Sequence, residues 1–156
     1  MTGPDPSGPA HRRRAGPDGT LTYRFELVPL ESLLAHERIE RPNLEAIKER
    51  IRKQHLVDEP LLVAEVPGGR FVVLNGHHRR LALMELGARR APAWVVDYAA
   101  DAIVLDHWPG AVNHPTPTKQ EVVEHALRGE LFPPKTTRHR VRTPLPTRVT
   151  HLSDLR

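Results

Sequence analysis

Cysteine is absent from all 156 residues. That excludes disulfides, thiolate catalysis and cysteine-based zinc sites, and it fits a reducing compartment. Aromatic residues make up only 4% of the chain, too few for a platform on which single-stranded bases stack. No apolar run approaches the roughly 20 residues that span a bilayer, and the first residues hold no apolar core of the signal-peptide kind. The expectation is a soluble, cytoplasmic protein with no membrane partner. Also missing are a Gly-rich Walker loop, a kinase catalytic-loop motif, a Gly-x-Ser-x-Gly elbow and a His-Glu-x-x-His pair. Of the 10 histidines, His77 and His78 are adjacent and cannot share one helix face, so a zinc site is not expected.

What is present is a mild basic excess, formally +4, and 16 prolines. Much of the charge lies in Arg12-Arg13-Arg14 and between Lys135 and Arg142. Such an excess suits a small anionic ligand as well as nucleic acid. Residues 1–20, rich in Gly, Pro and Arg, lack periodicity and read as a disordered tail. Residues 21–156 are long enough for one domain with one core.

The domain reads as strands and helices around a small mixed sheet, an α/β (α+β) fold. Strands are expected at Leu21–Val28, Leu61–Glu65, Arg70–Leu74, Ala93–Tyr98 and Ile103–Leu105. Pro67-Gly68-Gly69 makes a hairpin of the second and third. The unbroken run Trp94-Val95-Val96 suggests a strand covered on both faces. Leu30–Leu34 reads as a short helical turn. Asn43 can cap a helix to about Gln54, with Leu44, Ile47 and Ile51 as its buried stripe. Thr118 and Glu121 form a capping box. The helix it opens turns Val122, Val123, Ala126 and Leu127 inward and stops at Gly129. Val141–Arg156 reads as an edge strand or a wrapped tail.

One stretch stands out: Asn75-Gly76-His77-His78-Arg79, between an apolar strand and the helical pattern from Leu81 to Leu86. Free amides at a helix start carry partial positive charge. With two His and one Arg beside them they form a ready phosphate site, or simply a polar helix start. Lys135-Thr136-Thr137-Arg138-His139 offers hydroxyls and cations suited to phosphate, or an exposed basic loop. If it folds back onto the Gly76 turn, the two would cradle a polyphosphate. Glu37, beside His36, could deprotonate a hydroxyl nucleophile from there, or sit on the surface. Trp108 could cover a small ligand or cap the core.

Three motifs resemble those of the ParB/sulfiredoxin superfamily, and within it the free serine kinases. They are Ala35-His36-Glu37, similar to Pro-His-Glu; Asn75 to Arg79, similar to Asp-Gly-His-His-Arg; and Phe132 to His139, similar to a Pro-Lys-Thr-Thr-Arg-His signature. The resemblance implies phosphorylation of free L-serine or a similar hydroxy amino acid to O-phosphoserine, with ADP or ATP as donor and Mg²⁺. It makes Glu37 the base, aided by His77. Gly76, His77, His78, Arg79, Lys135, Thr136, Thr137, Arg138 and His139 then hold nucleotide and phosphate. Trp108 and His36 hold the amino acid. Asn75 stands where the family has Asp, so it would hold a metal only weakly. Sulfiredoxin chemistry needs a Cys in this turn and is excluded. A ParB-type nucleotide switch would need a helix-turn-helix downstream, where only one clear helix follows, so DNA is not the expected partner. An inactive nucleotide-binding protein is the other alternative.

Overall fold

The computed structural model describes residues 21–106, 108–109 and 115–156. The expected tail, 1–20, and part of the loop after Asp106 lie outside them. The chain runs through β1 (Tyr23–Pro29), β2 (Leu33–Leu34), α1 (Arg41–Gln54), β3 (Leu56–Val57), β4 (Leu61–Val66), β5 (Arg70–Asn75), α2 (His77–Glu85) and β6 (Arg90–Val96). It continues as β7 (Ile103–Asp106), α3 (Lys119–Arg128), β8 (Arg138–Val141) and β9 (Thr150–His151).

Five strands form a mixed sheet in the order β1-β6-β4-β5-β2. β4 and β5 are an antiparallel hairpin, whereas β4 pairs with β6, and β5 with β2, in parallel. Side chains of successive strand residues point to opposite faces, and here both faces are covered. Val63, Val73 and Val95 join Leu44 and Ile51 of α1 and Leu83 of α2 in one core. Val72, Leu74, Trp94 and Val96 join Val122 and Ala126 of α3 in the other. This is why Ala91 to Val96 is buried without a break. Two small ribbons, β3–β9 and β7–β8, complete the fold.

Several local expectations shift. α1 starts at Arg41 with Glu40 at its cap, not Asn43. Pro42 lies in the first turn, where its missing N–H costs nothing, and Asn43 instead donates to the Glu40 carboxylate at 3.1 Å. Leu30–Ser32 is a 3₁₀ turn, but Leu33–Leu34 pairs with Phe71–Val72 as a strand. Leu127 is 42% exposed rather than inward, because its turn of about 100° beyond Ala126 passes the edge of the buried stripe. The capping box at Thr118 is present, with both hydrogen bonds made. The end of the chain wraps: Thr150–His151 pairs with Leu56–Val57, and Leu152 and Leu155 enter the first core.

Candidate active site

Gly76 carries the chain from β5 into α2 at a φ of 111°. A side chain there would place its Cβ 2.7 Å from Leu61 Cγ and 3.4 Å from Arg79 Nη2. So glycine is required both by the backbone angle and by the close approach of a core leucine. On the facing wall, segment 36–38 runs beside Phe132. Phe132 N–H donates to the His36 carbonyl at 2.8 Å, and Arg38 N–H to the Phe132 carbonyl at 2.9 Å. That pairing delivers the loop after Phe132 onto Glu37. β8 then carries the loop's far end along β7, with Arg138 opposite Asp106.

Between these walls lies a cleft of about 460 Å³. Asn75, Gly76, His77, His78 and Arg79 line one side, and Glu37, Trp108, Lys135, Thr137 and His139 also line it. Two segments separated by some sixty residues therefore face the same space.

Glu37 is gripped by the loop. Its Oε1 accepts the Thr137 N–H at 3.0 Å and a short bond from the Thr137 hydroxyl. Its Oε2 accepts the Lys135 N–H at 3.2 Å. Lys135 takes a left-handed φ of 67°, which helps turn these amides inward. Burial raises the carboxyl pKa above its ordinary 4.5, while the bonds from Thr137 and Lys135 pull the other way.

Imidazoles form the floor. His36 is fully buried, and its ring meets those of His77 and His139 edge-on, with centroids 4.6 and 5.6 Å away. Its N–H donates to His77 Nε2 at 3.2 Å, so that nitrogen is an acceptor. His78 Nε2 accepts the Glu40 N–H at 2.9 Å and so ties α2 to the start of α1. His139 Nε2 lies 2.7 Å from the Tyr98 hydroxyl. Desolvation lowers three of the rings: buried His36 well below 6.5, half-buried His77 to about 3 and buried His139 to about 4. At neutral pH they are uncharged hydrogen-bonding groups.

Not every expected residue reaches the cleft. His36 is enclosed and cannot touch a substrate, because three rings and the 132 loop pack around it. The Thr136 hydroxyl donates to the Pro133 carbonyl at 2.7 Å inside its own loop. Arg138 sits over the Trp108 ring, 4.7 Å from its centroid, and does not itself line the cleft. Arg79 reaches the wall, yet its Nη1 donates to the Glu59 carbonyl at 2.9 Å. Conversely, Glu40, Asn43, Arg50 and Glu59 line the cleft and were not read as site residues. Pro42 was the available signal for Glu40, since it marks a helix's first turn. Nothing local could pair Tyr98 with His139, 41 residues away.

A mixed sheet covered on both faces, with a helix start and a half-buried carboxylate across one cleft, defines a small α/β domain. The chain belongs to the ParB N-terminal domain family, which matches residues 26–105, just over half of it. An ATP-dependent L-serine kinase of Staphylothermus marinus is 33% identical over 67% of this chain and 42% of its own length. An ADP-dependent L-serine kinase, SerK, of Thermococcus kodakarensis is 33% identical over 57% of this chain and 37% of its own. The chain thus spans less than half the length of these curated relatives. A free serine kinase solved with AMP shares the fold, with a TM-score of 0.74 and 21% identity over 88% of this chain and 95% of that one. Among the described residues no helix is long and apolar enough to cross a membrane.

Proposed function

We propose that this chain is a small-molecule kinase that transfers the terminal phosphoryl group of ADP or ATP to the hydroxyl of free L-serine, giving O-phosphoserine. The observation that carries this reading is the placement of Glu37 and the Gly76 turn across one cleft. Relatives named as L-serine kinases, both ATP- and ADP-dependent, support it.

Phosphoryl transfer needs positioning and charge stabilisation more than covalent chemistry. In this reading the free amides at the start of α2, with His77 and His78, receive the phosphates, and Lys135 adds a cation. Trp108 closes over the amino acid. Glu37 takes the serine proton: the serine O–H bond breaks and its oxygen bonds to the terminal phosphorus. The bond from that phosphorus to the bridging oxygen breaks, releasing AMP from ADP or ADP from ATP. A carboxyl whose pKa is raised by burial is better matched to this task at neutral pH.

Among the described residues no three His, Asp or Glu side chains gather to hold a metal. Glu37, Glu40 and the Asn75 amide nevertheless line the one cleft. That oxygen set suits a Mg²⁺ carried in by the polyphosphate, which keeps most of its ligands from phosphate and water. Glu40 and Asn75 would hold it, and it would neutralise phosphate charge. In this reading the reaction draws on a nucleotide and a free amino acid and so belongs in the cytoplasm.

The test is mass spectrometry of the protein mixed with Mg²⁺, ADP or ATP, and the free hydroxy amino acids. The expected product is O-phosphoserine with one donor or both. No phosphorylated amino acid under either donor contradicts the reading.

A further inference from the structure

The Thr137 hydroxyl has one proton to give. Its oxygen also lies 2.9 Å from His36 Nε2. With the proton donated to ionised Glu37, the oxygen must accept from His36, which therefore carries its hydrogen on Nε2. Nothing is left on Thr137 to offer a phosphate, since its backbone N–H also goes to Glu37 Oε1.

A carboxylate oxygen accepts at about two lone-pair positions. Oε1 of Glu37 receives two donors, both from Thr137. Oε2 receives one, the Lys135 N–H. One acceptor position therefore remains, and it is on Oε2.

We infer that Thr137, with His36 behind it, is a positioning residue for Glu37 rather than a phosphate ligand, and that Oε2 is the oxygen which takes the substrate's proton. His36 suits the supporting part. Its ring is held by His77, His139 and Phe132, its backbone N–H is bound to His77, and it never meets solvent. Its hydrogen on Nε2 fixes the direction of the hydroxyl, and the hydroxyl fixes Oε1. Chemical groups held before the reaction need no reorganisation during it. This inference rests on the kinase reading for its kinetic consequence, but the hydrogen-bond chain stands without it.

The experiment compares Thr137→Val and Thr137→Ser with the unaltered protein. Valine keeps the shape and removes the hydroxyl; serine restores it. Thr137→Val is expected to lower kcat at least about tenfold, within the range a positioned base supplies, with ADP and ATP Kd changed by less than about twofold. Thr137→Ser is expected to stay near the original kcat. A large rise in nucleotide Kd with kcat retained would overturn the inference and make the hydroxyl a phosphate ligand. A second readout needs no turnover: carbon-13 NMR titration of the Glu37 carboxyl. Thr137→Val is expected to move that titration to higher pH, because a bond that favours the ionised form is lost, and Thr137→Ser is not. An unmoved titration in Thr137→Val overturns the inference. If it moves and no amino acid is phosphorylated, the kinase reading fails and the positioning role remains.

Discussion

Gly76 and Glu37 are the two positions the cleft cannot change. A methyl at position 76 meets Leu61, a fully buried leucine of the first core that has nowhere to move. Gly76→Ala also forces a non-glycine residue to a φ of 111°. It is expected to cost roughly 1–3 kcal/mol in a urea titration and to weaken nucleotide binding, because the start of α2 shifts with it. An unchanged unfolding midpoint would refute the steric account. Glu37, raised by burial, should lend its own titration to the rate. The acid limb of kcat against pH is expected above the ordinary glutamate value of 4.5, and Glu37→Gln should remove turnover while nucleotide still binds. A limb at or below 4.5 would speak against Glu37 as the base. Both residues stood out in the sequence because their neighbours form short motifs. His36 belongs to the same short motif, but it is enclosed and does not line the cleft, so it is not placed to touch a substrate. Burial comes from the distant rings of His77 and His139, which no local pattern encodes.

The capping box of α3 and the β4–β5 hairpin are local, and these were legible. Thr118 and Glu121 satisfy each other's backbone amides at 2.9 and 3.0 Å. Thr118→Ala is expected to lose about 1 kcal/mol of stability with kcat unchanged, since α3 lies on the sheet face that packs Val122 and Ala126, not in the cleft lining. A change in kcat without loss of stability would contradict that assignment. The paired segments of two residues were not legible. Leu56–Val57 with Thr150–His151, and Leu33–Leu34 with Phe71–Val72, exist only because distant partners supply their hydrogen bonds. The Lys135–His139 run was read as a loop, and its second half is strand for the same reason: β7 lies alongside it. The start of α1 was misplaced because Asn43 resembles a cap in isolation, whereas Pro42 belongs to a first turn whose cap, Glu40, lies three residues before Asn43.

Taken together, the sheet and its two cores hold His36 and His139 neutral in the interior, and His77 neutral where it lines the cleft. Their folded pKa values lie below the ordinary 6.5, so the folded state refuses protons that the unfolded chain accepts. Their stabilising contribution is thus full above about pH 6.5. It is lost as pH falls toward 4 and 3, at roughly 1.4 kcal/mol per pH unit for each ring. Glu37, shifted the other way, offsets part of the loss at the acid end. Urea midpoints measured at successive pH values should fall steadily below pH 6; a flat profile to pH 5 would mean that the rings are not buried as described.

The fold matters to function because it closes two remote segments on one space. A crystal structure with bound ADP reads this without assumptions about rate. The phosphates are expected at the amides of residues 77–79, with Glu37 facing the terminal phosphorus from the opposite wall. Phosphates bound on another face, such as the groove lined by Arg90, Arg148 and His151, would contradict the assignment of the cleft.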